Sequence, residues 1–94
     1  MKPAALCLAL PVLLCAQESL GELLGRARAE RDAGRLGRAL AAYEAMLAQV
    51  PEHETALLER AQVLSWMGRY PEALEGYRAF RARYPGRALL ADLR

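Results

Sequence analysis

The sequence predicts an all-α protein made of two stacked helix–turn–helix units, and three observations lead to this prediction. Shifted by 34 positions, residues 20–53 align with residues 54–87 without a gap. The identities in this register include residues with distinct local roles, namely the pairs Gly34/Gly68, Tyr43/Tyr77 and Pro51/Pro85. No stretch shows the alternation of apolar and polar residues that is typical of a strand. Because self-similarity at a fixed period indicates a repeat protein, we expect each of the two ranges to form one repeat.

Length and composition restrict the protein to one small, ordered domain. The chain has 94 residues, of which 54% are hydrophobic, and it carries 13 Lys and Arg against 11 Asp and Glu. The apolar fraction argues against disorder. The formal net charge of +2 argues against electrostatic binding of nucleic acid, so we expect no nucleic-acid partner.

The first element is predicted to be a secretory signal peptide at residues 1–16, forming a short helix until it is removed. Lys2 is followed by an uncharged stretch from Ala4 to Leu14, and charges begin again at Glu18. This stretch is shorter than the ~20 apolar residues that span a bilayer, and its layout is typical of export signals. We expect an exported, periplasmic protein that contacts the membrane only through this transient segment. A buried N-terminal helix is the alternative.

Ala16 is the expected last residue of the signal, although Leu14 stands where a small residue is preferred. Attachment of lipid at Cys15 is the alternative, which we expect less because Leu14 precedes that cysteine. Cleavage after Ala16 would remove Cys7 and Cys15, the two cysteines of the chain. The mature chain would then have no disulfide and no cysteine-based metal site.

The first repeat has the local signals of two helices joined by a tight turn. Ser19 stands three residues before Glu22, which is a capping-box pattern at a helix start. Gly34 has the backbone freedom that ends this helix. A second helix is expected over about residues 36–49, before Pro51. The apolar residues at helical spacing are Leu20, Leu23, Leu24 and Ala27 in the first helix, and Leu40, Tyr43 and Leu47 in the second.

The second repeat follows the same order of signals. Gly68 ends its first helix, Pro71 suits the first turn of the next one, and Pro85 ends that helix. The apolar stripes consist of Leu57, Leu58, Ala61 and Leu64, and then of Ala73, Leu74, Tyr77 and Phe80. Residues 88–94 are expected to start a further helix, which leaves an apolar end. We therefore expect self-association, docking on a larger partner, or a truncated piece of a longer chain, and we favour the last.

A helix pair with this period resembles the tetratricopeptide repeat, and the resemblance covers residues 20–87. It is carried by apolar, small, aromatic and proline positions that recur in register: Leu23/Leu57, Ala27/Ala61, Ala39/Ala73, Tyr43/Tyr77 and Pro51/Pro85. Arg26 and Arg60 depart from the leucine of the family pattern, and Glu30 departs from its tyrosine. The resemblance implies a short right-handed α-solenoid whose first helices line a concave face that binds peptides or protein segments.

Residues 60–74, RAQVLSWMGRYPEAL, resemble a subtype found in exported bacterial proteins. Such repeats precede outer-membrane β-barrels or serve in polysaccharide export. The resemblance therefore implies an exported module that binds a protein or peptide segment. The alternative is a structural or assembly extension of an outer-membrane or polysaccharide-export machine.

One face of the two first helices is the candidate peptide-binding site, formed by Leu24, Arg28, Arg31, Leu58, Gln62, Ser65 and Trp66. Arg presents a planar fork of donors suited to a carboxylate, and Trp presents a rigid apolar surface with one donor. We expect these side chains to suit an extended acidic or C-terminal peptide segment. The alternative is that Arg28 and Arg31 are solvated and that Trp66 packs near Tyr70.

Other polar residues have structural explanations, and none indicates catalysis. Arg26 and Arg60 are expected to pack their stems between helices while their heads reach an acid or a backbone carbonyl. His53, the single histidine, lies between two glutamates in the inter-repeat loop and is expected to be solvated. Ser65 has no histidine at helical spacing, and no Gly-rich phosphate loop is present. We predict a non-enzymatic protein without cofactor or metal.

Overall fold

The computed structural model describes residues 18–87, which contain four helices, a further helical segment at residues 85–87 and no strand. Helix α1 spans Leu20–Asp32, α2 spans Leu36–Gln49, α3 spans Glu54–Trp66 and α4 spans Tyr70–Arg83. The predicted all-α fold is confirmed for this part of the chain. The predicted signal peptide and its cleavage or lipidation site lie outside the described residues, and so does the further helix predicted at residues 88–94.

The two helix pairs repeat each other with a constant offset. Both ends of α1 recur 34 residues later in α3, and both ends of α2 recur 34 residues later in α4. The residues that precede the first helices, Ser19 and His53, also stand 34 positions apart and both serve as N-caps. The period read from the sequence is therefore a period of the backbone as well.

Each first helix ends in the same hydrogen-bonded turn. Gly34 has a φ of 82° and Gly68 a φ of 81°, a left-handed conformation that residues with a Cβ adopt only under strain. After α1, the Gly34 N–H donates to the Arg31 carbonyl at 3.0 Å, and the Arg35 N–H donates to the Glu30 carbonyl at 2.8 Å. These two bonds define a Schellman motif, which satisfies carbonyls at the helix end.

The starts of the helices also follow the sequence signals. The Ser19 hydroxyl accepts from the Glu22 N–H at 3.0 Å, and the Glu22 carboxylate accepts from the Ser19 N–H at 3.1 Å. This is the predicted capping box, in which two N–H groups without helical partners are satisfied. Pro71 occupies the first turn of α4, where its missing N–H removes no hydrogen bond.

The helices pack consecutively, α1 on α2, α2 on α3 and α3 on α4. Most of the core lies in the two inner helices, where Tyr43, Met46, Val63 and Leu64 are fully buried. No helix within residues 18–87 combines the length and hydropathy that a membrane crossing requires. Helices α1 and α3 are the first helices of successive repeats, and hydrogen bonds from Arg28 to Glu59 join them.

Candidate functional site

The candidate site lies on the first helices, where predicted residues recur with helical spacing. Leu24, Arg28 and Arg31 follow one stripe of α1, and Leu58, Gln62 and Ser65 follow the equivalent stripe of α3. We call the surface formed by these two stripes the α1/α3 face. Trp66 stands at its end, as the last residue of α3.

Glu59 of α3 joins the two stripes. The Arg28 Nε donates to Glu59 Oε1 at 3.1 Å, and the Arg28 Nη2 donates to Oε2 at 2.6 Å. The Arg31 Nη1 donates to Oε1 at 3.3 Å. The Tyr43 hydroxyl, which comes from α2, donates to the same oxygen at 2.6 Å. A single carboxylate therefore connects three helices across two repeats.

The electrostatics of this cluster follow from its contacts. Partial burial acts to raise the pKa of the Glu59 carboxyl, but the hydrogen bonds from Arg28 and Tyr43 and the two arginine charges lower it below its usual range. Burial raises the pKa of the Tyr43 hydroxyl, and the bond to Glu59 raises it further. The bond to Glu59 also raises the pKa of Arg28. The cluster therefore holds an ionised Glu59 and a neutral Tyr43.

Each arginine keeps donor capacity after these bonds are made. Arg28 uses its Nε and Nη2, and Arg31 uses its Nη1 for Glu59 and its Nε for Asp32 at 3.1 Å. Among residues 18–87 no acceptor contacts the Nη1 of Arg28 or the Nη2 of Arg31. The Arg28 side chain is 46% exposed, so a carboxylate from outside can reach it. The arginines are thus neither simply solvated nor fully consumed by internal bonds.

The remaining predicted residues differ in accessibility. Leu24, Leu58, Gln62 and Ser65 are half-buried on the α1/α3 face. Trp66 is 58% exposed and Tyr70 is 67% exposed, so most of the Trp66 surface faces solvent. The structure therefore brings Arg28 and Arg31 together on Glu59, with Trp66 exposed at the end of α3.

Two members of the cluster were missed as site residues. Tyr43 lies on a predicted apolar stripe and is fully buried, but its hydroxyl belongs to the polar network. Glu59 occupies the position held by Gly25 in the first repeat. An acid at a position where the other repeat has glycine is a signal for an interaction made only once, between the repeats.

The guanidinium groups of Arg26 and Arg60 reach carboxylates, as the sequence predicts. The Arg26 Nη1 lies 3.1 Å from the Glu18 carboxylate, and the Arg60 Nη2 lies 3.1 Å from the Glu44 carboxylate. The Arg26 side chain is 51% exposed and the Arg60 side chain is 27% exposed. Such exposed pairs contribute little stability.

The expectation for His53 is wrong. Its Nδ1 accepts a hydrogen bond from the Ala56 N–H at 3.2 Å, and the residue is half-buried as the N-cap of α3. The first N–H groups of a helix have no acceptor within the helix. A side-chain acceptor just before the helix, such as the His53 ring nitrogen, therefore accepts a hydrogen bond from one of them. Within the described part of the chain, no three His, Cys, Asp or Glu residues are placed to hold a metal ion.

Comparison with known families gives one match. A family model described as tetratricopeptide repeat matches residues 30–94, which is more than half of the chain. No curated protein and no solved structure shows a significant match.

Proposed function

Because the chain belongs to the tetratricopeptide repeat family, we propose that it binds a protein segment along the α1/α3 face. Repeats of this family generally mediate protein–protein interaction, and their domains are typically non-enzymatic scaffolds. The proposal also specifies which face binds, what chemistry the bound segment has, and that binding occurs after export.

The observation that carries the proposal is the pair of arginines on Glu59. Glu59 orients both guanidinium groups, and each retains an Nη group without an acceptor in residues 18–87. Oriented donors lose less conformational entropy on binding than mobile ones. A carboxylate accepts such donors in the planar geometry that Arg offers. The segment we propose is therefore acidic, or ends in a free C-terminal carboxylate.

Trp66 extends the proposed site with apolar surface. Its side chain is 58% exposed. Trp66 follows Glu59 in α3 by seven residues, which is about two helical turns, so the two residues lie on one stripe of the helix. An extended segment that follows this stripe would contact the arginines at one end and the indole at the other. Aromatic residues of this kind contribute much of the binding energy in protein interfaces.

The fluorescence of Trp66 can report binding, because Trp66 is the single tryptophan of the chain. The full chain is titrated with a short acidic peptide, since extended segments are a recurring form of peptide ligand. The same peptide with an amidated C-terminus separates the effect of acidic side chains from that of the terminal carboxylate. We expect a saturable change in fluorescence with at least one of the two peptides.

Matched arginine variants locate the site. Arg28→Ala should weaken binding by about tenfold or more, since a hydrogen bond to a charged group is worth about 1.5–3 kcal/mol. Arg38→Ala, which removes an exposed arginine of α2, should leave the affinity unchanged. Helicity measured by circular dichroism controls for folding. Equal affinities in the two variants, or no saturable change with either peptide, would contradict the proposal and favour the assembly role.

The proposal includes export, with residues 1–16 as the signal peptide and cleavage after Ala16. It is supported by the charge and hydropathy pattern of the N-terminal sequence. The intact mass of the protein recovered from a periplasmic fraction tests it. We expect a chain that begins at Gln17. A chain that retains Met1, or one that carries lipid on Cys15, would contradict this part alone.

A further inference from the structure

Glu59 already occupies an edge of Arg28 that suits an outside carboxylate. The Arg28 Nε and Nη2 donate to different oxygens of Glu59, at 3.1 Å and 2.6 Å. Two parallel N–H···O bonds of this kind add energy and geometric specificity to an arginine–carboxylate pair. A ligand is therefore left with the Arg28 Nη1 and the Arg31 Nη2, to which no acceptor in residues 18–87 is bonded.

Tyr43 fixes Glu59 in this position. The Tyr43 side chain is fully buried, and its hydroxyl donates to Glu59 Oε1 at 2.6 Å. A ligand that displaced Glu59 would take this acceptor away, and a buried donor without an acceptor is costly. The Glu59 side chain is 14% exposed, against 46% for Arg28. An outside carboxylate therefore meets Arg28 while Glu59 stays in place.

The charges of the two arginines are cancelled by their partners. Arg28 and Arg31 both pair with Glu59, and Arg31 also pairs with Asp32 at 3.1 Å. Two positive charges thus meet two negative ones. The free donors can still bind a carboxylate at hydrogen-bonding distance, because such bonds depend on local geometry. The cluster as a whole, however, has no net charge with which to attract a second negative charge on the ligand.

We propose that Glu59 is the specificity-determining residue of the α1/α3 face and limits its ligand to a segment that presents a single carboxylate. A phosphorylated segment or a run of acids gains little attraction from the neutral cluster, and each added charge is repelled by Glu59 and Asp32. This inference rests on the proposed function and narrows its ligand class to one acidic side chain or one C-terminal carboxylate.

The substitution Glu59→Gln separates the charge of this residue from its hydrogen bonds. The bonds from Tyr43, the Arg28 Nε and Arg31 all end at Oε1, and glutamine keeps an oxygen that can accept them. Its NH2 group replaces Oε2, so the Arg28 Nη2 is released for a ligand. The cluster also loses one negative charge and becomes positive. Most of its geometry is therefore kept while its charge changes.

Three short peptides of one length test the assignment, with the Trp66 fluorescence of the full chain as the readout. Two have an amidated C-terminus and differ only in carrying one glutamate or one phosphoserine, whose charge is about −1.5 to −2. The third has no acidic side chain but a free C-terminus, so it separates a terminal carboxylate from a side-chain one. In the parent, the phosphoserine peptide should bind at most about threefold more tightly than the better carboxylate peptide.

Glu59→Gln should change both the affinity and the ligand preference. The better carboxylate peptide should bind about threefold to tenfold more tightly than it binds to the parent, because one repulsive charge is lost. The phosphoserine peptide should gain more than this, and its affinity should fall more steeply with salt than in the parent, because salt screens the new net charge. Glu75→Gln removes the same charge from an exposed position of α4 and is the matched control, which should leave every affinity unchanged.

The outcomes separate this inference from the proposed function. Saturable binding to the parent with no gain of affinity in Glu59→Gln would overturn the inference alone. A parent that prefers the phosphoserine peptide by about tenfold or more would do the same. Absence of binding by all three peptides to both proteins would contradict the proposed function, and the inference with it. Circular dichroism checks the fold of each variant. If Glu59→Gln loses helicity, the comparison is made between Tyr43→Phe and Tyr43→Phe/Glu59→Gln, in which no buried hydroxyl needs the acceptor.

Discussion

The hydroxyl of Tyr43 donates a 2.6 Å hydrogen bond to Glu59, which joins the second helix of one repeat to the first helix of the next. Tyr43 is fully buried, so its hydroxyl requires an acceptor inside the protein. Glu59 meets this requirement and at the same time accepts two hydrogen bonds from Arg28. The interface between the repeats and the proposed binding face therefore share one carboxylate.

Replacing Glu59 should cost more stability than replacing a similar exposed acid. In Glu59→Ala the buried Tyr43 hydroxyl loses its acceptor, and leaving a buried donor unsatisfied costs about 1–3 kcal/mol. Glu44→Ala removes an acid that pairs with Arg60 while 50% exposed, and should cost less than about 1 kcal/mol. Urea unfolding followed by circular dichroism measures both. Equal losses would show that the Tyr43 hydroxyl gains little from Glu59.

A double-mutant cycle isolates the Tyr43–Glu59 contact. Tyr43→Phe keeps the ring in the core and removes the hydroxyl that needs an acceptor. In this background, Glu59→Ala should cost at least about 0.5 kcal/mol less than in the parent, because contacting residues are coupled. Additive losses would mean that the two residues stabilise the fold independently.

The stability that Glu59 provides should disappear in acid. The pKa of its carboxyl is lower in the folded protein than the ordinary value of 4.5. The folded state therefore binds this proton less readily, so the contribution is complete above about pH 5 and falls as the pH drops through the folded pKa. The comparison is the unfolding free energy of the parent minus that of Glu59→Gln between pH 3 and 7. We expect this difference to be constant near neutrality and to shrink below about pH 4.5.

The difference between the two proteins is needed because the pKa of Glu72 is also lower in the folded protein than its ordinary value. Its bond with Arg69 lowers the pKa of Glu72, and that contribution is present in both proteins. Subtracting the unfolding free energy of Glu59→Gln from that of the parent removes the contribution of Glu72. A difference that stays constant from pH 3 to 7 would show that Glu59 does not gain stability from being ionised.

Features set by neighbours in the chain could be predicted from the sequence. The capping box at Ser19, the turn at Gly34 and the proline at the start of α4 each depend on residues within a few positions. The period of 34 residues then predicts where the helices and the glycine turn return, at α3, α4 and Gly68. These local signals and the period therefore predict all four helices.

Features that depend on the distance between helices could not be predicted. Glu59 meets Arg28 and Tyr43, which are 31 and 16 residues away, only after α1, α2 and α3 have packed. Leu40 and Leu74 are 7% and 50% exposed for the same reason, because identical residues at equivalent positions differ in what covers them. Periodicity identifies an apolar stripe, whereas burial of that stripe depends on a neighbouring helix.

The two N-caps of the first helices provide a matched pair for measuring local stability. Ser19→Ala and His53→Ala each remove a side-chain acceptor for an N–H of the first turn, at 3.0 Å and 3.2 Å respectively. Each should lower the unfolding free energy by about 0.5–2 kcal/mol. His53→Asp should restore or raise it, because aspartate is a better cap and its charge favours a helix N-terminus. Thermal unfolding midpoints report all three. An unchanged midpoint in His53→Ala would mean that the His53 hydrogen bond adds nothing.

The contact of Gly76 in α4 with Ala61 in α3 should tolerate no larger side chain at position 76. A Cβ on Gly76 would lie 3.0 Å from the Ala61 Cβ and 3.6 Å from the Ala61 Cα. Gly76→Leu must therefore separate the helices or distort them, and overpacking of this kind costs about 1–3 kcal/mol. Gly25→Leu is the control, because a Cβ on Gly25 in α1 meets nothing within 4 Å. That change should raise the unfolding free energy by up to about 1 kcal/mol, since leucine favours a helix more than glycine does. Urea unfolding of both variants should therefore give shifts of opposite sign. A stabilised Gly76→Leu would show that the two helices can move apart without cost.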